Sequence, residues 1–156
     1  YNTAEFLACV ERLRRYFPGC ALTADMITGF PGETEADQAA AVAFLEQVGF
    51  AAVHVFPYSR RPGTKADAMP EQLSHAVKSA RAHEAQRVAD ACKQRYLVQQ
   101  VGQTLPVLFE TEHDGSWVGH SDNYCLVRAA GDDLRGLVKN VKISAVSGQM
   151  LVGDLV

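Results

Sequence analysis

The sequence predicts an α/β segment followed by an all-β module. Three observations carry this. Two short apolar runs with β-branched residues, 21–29 and 50–58, flank an amphipathic stretch, as in a strand–helix–strand unit. A long polar stretch with helical periodicity runs from Pro70 to about Gln99. After Gly102 the text breaks into short strand-like runs separated by Gly, Asp and Ser.

The elements follow in order. Phe6, Val10, Leu13 and Phe17 share one helical face of residues 3–17, with Asn2 or Thr3 as cap and Pro18-Gly19 as stop. "ALTADMITG" (21–29) is a strand. Thr34 with Asp37 forms a capping pattern, and the helix it opens runs to about Gln47, burying Val42, Leu45 and Val48, with Gly49 as its stop. "FAAVHVFPY" (50–58) is the next strand. Two strands joined through a helix are parallel, with a right-handed crossover. In the helix that follows, Leu73, Val77, Ala80, Glu84, Val88 and Ala91 trace the expected buried face. The runs "TLPVLFETE", "SWVGHS", "NYCLVRAA", "GLVKNVKISAV" and "QMLVGDLV" predict a small β-barrel or sandwich, with a domain boundary near residue 100.

Composition excludes several classes. With 156 residues and 47% hydrophobic content, the chain can bury one ordinary core, or a small core plus an appended module. No apolar run is long enough to span a bilayer and no signal peptide opens the chain, so a cytoplasmic protein without membrane contact is expected. Tyr1 is not Met and a helix pattern begins at once, so the chain is expected to be a piece of a longer protein. The net charge is −3; residues 1–100 hold 11 basic and 11 acidic side chains, and residues 101–156 hold 4 and 7. An acidic second part does not favour a strong grip on phosphates. Cys9, Cys20, Cys92 and Cys125 form no CxxC or CxxxCxxC motif and are expected to be reduced and structural. His54, His75, His83, His113 and His120 form no spaced metal motif.

In sheets of parallel strands the loops at the C-terminal strand ends carry chemistry. Two are visible, "TGFPGET" (28–34) and "PYSRRPGT" (57–64). The first ends at a helix N-terminus, where backbone N–H groups suit a carboxylate or phosphate; equally, Gly29 and Gly32 make a tight turn and Glu33 favours the helix start. Asp25, inside an apolar strand, is either a ligand-facing carboxylate or half of an ion pair. Arg60 and Arg61 suit phosphate or carboxylate recognition, or decorate a solvated turn. Phe109, Trp117 and Tyr124 either stack on bases or fill the small barrel. Arg128, Lys139 and Lys142 are candidate phosphate contacts.

Taken together, "TADMITGFPGETEAD" (23–37) followed by "HVFPYSRRPGTKADAMP" (54–70) resembles the methylthiotransferase branch of the radical S-adenosylmethionine enzymes. "GHSDNY" (119–124), "GLVKNVKI" (136–143) and "LVGDLV" (151–156) resemble the TRAM domain, an RNA-binding β-barrel that ends such enzymes. Within the branch, "HVFPYS" is most similar to the subgroup acting on threonylcarbamoyladenosine in tRNA, ahead of the isopentenyladenosine and ribosomal-protein subgroups.

The resemblance implies a fold: the last βα units of an incomplete parallel (β/α) barrel over 1–99, then a small antiparallel OB-like β-barrel over 100–156. It implies a parent enzyme that adds a methylthio group to the adenosine beside the tRNA anticodon, using S-adenosylmethionine and two 4Fe-4S clusters. This chain lacks the cluster cysteines, so the resemblance implies no catalytic residue here, no bound cofactor and no activity of the chain alone. Asp25, Ile27, Gly29, Pro31, Glu33, Phe56, Pro57 and Tyr58 would border S-adenosylmethionine. Arg60, Arg61, Trp117, Tyr124, Arg128, Lys139 and Lys142 would meet the tRNA anticodon stem-loop. An open barrel edge would favour self-association. Two readings from other classes compete: a standalone RNA-binding adaptor built on the small barrel, and an α/β phosphate-binding enzyme using "GFPGE".

Overall fold

The structure, a computed structural model, describes residues 2–156. The chain divides into two compact units, 1–92 and 93–156.

In the first unit, helix α1 (Thr3–Tyr16) opens on a capping box. Asn2 Oδ1 accepts from the Glu5 N–H at 3.0 Å, and the Glu5 carboxylate accepts from the Asn2 N–H at 2.9 Å. Strand β1 (Thr23–Thr28) and strand β2 (Ala52–Pro57) pair in parallel, in the register Asp25 with His54 and Ile27 with Phe56. Helix α2 (Glu35–Val48) joins them, capped by Thr34 and ended by Gly49 in the left-handed conformation. A short helix α3 (Lys65–Ala68), which the sequence pattern does not announce, follows β2. Helix α4 (His75–Gln100) then runs for 26 residues.

One face of the two-stranded sheet is covered. Ala24, Met26, Val53 and Val55 pack with Val10 of α1, Leu45 and Val48 of α2, and Ala85 and Ala89 of α4. The Phe6 ring meets those of Phe44 and Phe50 edge-on, with centroids 5.6 and 6.1 Å apart. Two expected contacts are absent: Leu13 and Phe17 are exposed. The buried face of α4 also differs from the expected one. Ala80, Glu84 and Ala91 face solvent, while Arg81, Ala82, Ala85, Ala89 and Cys92 are buried. Alanine's small side chain allows close helix approach, so that row makes the contact although it carries less hydrophobic bulk.

The second unit is a five-stranded barrel made of β3 (Thr104–His113), β4 (Ser116–Ser121), β5 (Leu126–Ala129), β6 (Val138–Ser147) and β7 (Met150–Leu155). The order β3-β4-β5-β7-β6 closes through pairing of β6 with β3. Contrary to the all-antiparallel expectation, β5 and β7 run parallel. The reason is the connection 130–137. It carries the chain from β5 across to β3, so the β6–β7 hairpin returns β7 beside β5 in the same direction. Val107, Phe109, Val127, Val141, Ile143 and Leu151 fill the interior. Gly119 faces Leu108 so closely that a Cβ there would sit 1.9 Å from the Leu108 carbonyl oxygen, which is why this position of β4 has no side chain. Among the described residues no helix is long and apolar enough to cross a membrane.

Candidate functional site

The uncovered face of the two-stranded sheet is where alternation puts Asp25 and Ile27 of β1 and His54 and Phe56 of β2. Ile27 is 56% exposed and Phe56 51%, unusual for large apolar side chains in the middle of strands. The His54 and Phe56 rings stack with centroids 6.5 Å apart. Asp25 is exposed and has no ion-pair partner among the described residues, so the structural ion pair that a mid-strand aspartate suggests is not formed.

The loops 28–34 and 57–64 leave the same end of this sheet. They are tied at their roots: the Tyr58 N–H donates to the Thr28 carbonyl at 2.8 Å. The Phe30 ring meets the Tyr58 ring edge-on at 5.2 Å, and Lys78 Nζ lies 5.0 Å from the centre of that ring.

The glycine-rich loop already holds an anion of its own. The Glu33 carboxylate accepts from the Gly29 N–H at 2.9 and 3.1 Å and from the Phe30 N–H at 3.4 Å. Arg81 Nη1 donates to the same carboxylate at 2.7 Å and to the Glu33 carbonyl at 2.8 Å, and Nη2 donates to Glu35 at 2.5 Å. The Arg81 side chain is only 6% exposed and that of Glu33 15%. The bond to Glu35, then that to Glu33, hold the guanidinium proton more firmly than usual, against the cost of burial. Gly29 sits at φ 72°, and a Cβ there would come within 2.6 Å of Lys78 Cγ. Pro31 is buried. Gly29, Pro31 and Glu33 therefore build the loop, and its N–H groups are spoken for, which weakens the reading of a phosphate cradle.

The second loop is looser. Arg60 Nε donates to Asp67 Oδ1 at 2.7 Å and Arg60 Nη2 to the Asp67 carbonyl at 3.0 Å, tying the loop to α3. The Arg61 side chain is exposed with no partner among the described residues, and its carbonyl accepts from Thr64. Pro57 is exposed at the end of β2, whereas the hydroxyl of Tyr58 is buried without a partner.

In the barrel, Trp117 (5% exposed) and Phe109 (0%) belong to the core, so neither is free to stack on a base. Tyr124 is 86% exposed. Lys142 Nζ donates to the Gly102 carbonyl at 2.6 Å; Lys139 is exposed; Arg128 is half-buried with its Nε unpartnered. Sequence reading passed over four residues that organise these surfaces: Arg81, Lys78 and the His120–Glu110 pair. For Arg81 a signal existed, its place on the same helical face as Ala85, Ala89 and Cys92.

The residues present fit parts of a nucleoside-bearing cofactor. Ile27 and Phe56 offer an open apolar surface for a purine, and the free Asp25 carboxylate can accept from ribose hydroxyls. They do not fit an iron–sulfur cluster. None of the four cysteines is in a disulfide, Cys92 and Cys125 are buried, and burial pushes the Cys125 thiol up, away from the thiolate a cluster needs. Among the described residues no group of three His, Cys, Asp or Glu is placed to hold a metal ion.

No family model matches the chain. Curated relatives do. The chain is 37% identical over 148 residues, 90% of its length and 33% of the relative's, to the threonylcarbamoyladenosine tRNA methylthiotransferase MtaB of Bacillus subtilis. It is 39% identical over 158 residues, 99% of its length and 35% of the relative's, to a tRNA-2-methylthio-N(6)-dimethylallyladenosine synthase of Maricaulis maris. A synthase with the same name from Nitratidesulfovibrio vulgaris is 36% identical over 163 residues. The chain thus spans about a third of the length of the curated relatives it matches. Over that third it is similar to proteins named as tRNA methylthiotransferases.

Proposed function

We propose that this chain supplies part of a radical S-adenosylmethionine enzyme that places a methylthio group on a modified adenosine of tRNA. The observation that carries the reading is similarity to enzymes named for that reaction along 90–99% of the chain. In this reading residues 1–99 are the last βα units of an incomplete parallel barrel, and 100–156 an OB-like TRAM barrel. The cofactor, when bound and reductively cleaved, supplies radical chemistry. Asp25, Ile27 and Phe56 line its nucleoside side, and the Glu33–Arg81 lock fixes the loop that closes over it. The cluster ligands lie outside this chain's residues, so the chain alone is inactive.

Arg60, Arg61, Arg128, Lys139 and Lys142 contribute charge toward the anticodon stem-loop, and Tyr124 a ring. Trp117 acts from the core only. The unpaired strand edges of the β1–β2 sheet favour pairing with further strands, or with a second copy when left bare. A cytoplasmic location follows from a tRNA substrate. The standalone RNA-binding adaptor is the competing reading; it leaves the open face of β1 and β2 without a use.

The subgroup rests on "HVFPYS", because identities of 37% and 39% to the two kinds of relative do not separate them. A chimera tests both levels. The matching third of Bacillus subtilis MtaB is replaced by this chain, and tRNA from a strain lacking its own methylthiotransferases is analysed by mass spectrometry. The expected result is methylthiolated threonylcarbamoyladenosine. Methylthiolation only of dimethylallyladenosine would move the subgroup. A folded chimera that binds tRNA and S-adenosylmethionine yet modifies neither would overturn the reading.

A further inference from the structure

One outward-facing cluster on the barrel has a geometry of its own. Tyr124 stands in the turn between β4 and β5 at φ 60°, a left-handed backbone that aromatic residues rarely adopt. The turn is held from both sides. The Tyr124 N–H donates to the Ser121 carbonyl at 2.9 Å, and Ser121 Oγ accepts from the Cys125 N–H at 3.0 Å. The strained backbone thus displays the ring; Tyr124 has the highest exposure among the exposed large hydrophobic residues.

His120 lies beside it, ring centroids 6.4 Å apart and planes tilted by 51°. His120 Nδ1 is 2.6 Å from Glu110 Oε2. Glu110 falls in the register shift between Phe109 and Thr111, a bulge that re-aims its side chain. Next to His120 across the sheet come Leu108 and then Val138, 43% and 62% exposed. The cluster is two aromatic rings beside an apolar floor, with its one acid paired and no lysine or arginine in it. Such a surface suits a flat, uncharged π-system better than a phosphate.

We propose that one unpaired nucleobase of single-stranded RNA stacks on the exposed Tyr124 ring, beside Leu108 and Val138, with the tilted His120 ring meeting its edge and Glu110 positioning that ring. This rests on the RNA-binding reading given above. It agrees with the acidic balance of residues 101–156, which hold 4 basic and 7 acidic side chains: stacking needs no dense positive charge.

The test titrates the 156-residue chain against a short fluorescein-labelled single-stranded RNA, and against the same strand carrying abasic sites. Tyr124→Asn removes the ring while keeping a residue suited to the left-handed backbone. It is expected to weaken binding about tenfold or more, and Tyr124→Phe by less than about twofold. The loss should be equal at about 50 and 200 mM salt, because no phosphate contact is removed. Glu110→Ala should weaken binding and Glu110→Gln restore it, since the amide oxygen still accepts from Nδ1–H. Abasic RNA should bind wild type no better than intact RNA binds Tyr124→Asn. If Tyr124→Asn binds like wild type, or abasic RNA binds as well as intact RNA, the stacking site is refuted and RNA binding stands. If wild type binds no RNA, both fall.

Discussion

The loops 28–34 and 57–64 start from the same sequence signal, charge beside the end of an apolar strand, and finish with opposite physics. In the first, Glu33 and Arg81 are 15% and 6% exposed and lock each other. In the second, Arg60 is 58% exposed over an Asp67 that is 24% exposed, and Arg61 is unpaired among the described residues. A charge that is desolvated has to be satisfied by the fold and becomes structural. A charge left in water remains available to a partner. The lesson is that burial, which a single sequence reports poorly, separates scaffold from contact surface.

The largest way to break this contrast is at Arg81. Arg81→Ala leaves the Glu33 carboxylate half-enclosed without its counter-charge and removes the donor to the Glu33 carbonyl. A stability loss of about 3 kcal/mol is expected, read as a fall in the urea midpoint. Arg81→Lys should not rescue it, because a single ammonium cannot fork between Glu33 and Glu35. Glu35→Ala, whose side chain is 86% exposed, should cost less than about 1 kcal/mol. A loss at Arg81 as small as that at Glu35 would erase the distinction between the two loops.

Much of the architecture was legible beforehand, and the failures have identifiable causes. Strand–helix–strand order could be read because Thr34 with Asp37 and Gly49 mark both ends of α2, and because the apolar runs are short. The five barrel strands were legible from their turn residues. The parallel pairing of β5 with β7 was not, because it depends on where the 130–137 connection lands and no local residue encodes that. The buried face of α4 was misread because Arg81 counts as polar in any periodicity, although its buried neighbours Ala82, Ala85 and Ala89 fix the face. For the site, Ile27 and Phe56 were named through the resemblance alone and Asp25 also through its charge inside an apolar strand, and the structure puts all three on the exposed face of β1 and β2. Trp117 was misjudged because an aromatic residue in a small barrel carries no mark of inside or outside, and here it points in.

A sharper test of the open loop is smaller in stability terms. Replacing Arg60 and Arg61 together by Ala should change the unfolding free energy, read from urea titration, by no more than about 0.5 kcal/mol, since the Arg60–Asp67 pair is largely exposed. The same double variant should weaken binding of the anticodon stem-loop and reduce its salt dependence by about one to two phosphate contacts. Unchanged affinity together with unchanged stability would make 57–64 a plain solvated turn. A large stability loss would make it scaffold, like its neighbour.

The smallest effect lies where the locked loop ends and α2 begins. The Asp37 carboxylate accepts from Thr34 Oγ1 at 2.7 Å and from the Thr34 N–H at 2.9 Å. The side-chain bond first, then the backbone bond, hold its carboxyl below the ordinary range. A carboxylate whose folded pKa is depressed adds stability above its unfolded value, about 3.9, and loses it as pH falls through the folded value. Wild type should therefore melt above Asp37→Asn by a constant margin from neutral pH down to about 5, with the margin shrinking below about 4. Thr34→Val should remove most of that pH dependence, because it deletes the hydroxyl that is its main cause. A margin that persisted unchanged to about pH 3 would mean the capping box is not what lowers the Asp37 carboxyl. Asp37 is fully exposed, so the margin should be slight beside the loss at Arg81: hydrogen bonds of similar length, one set in water and one shut away from it.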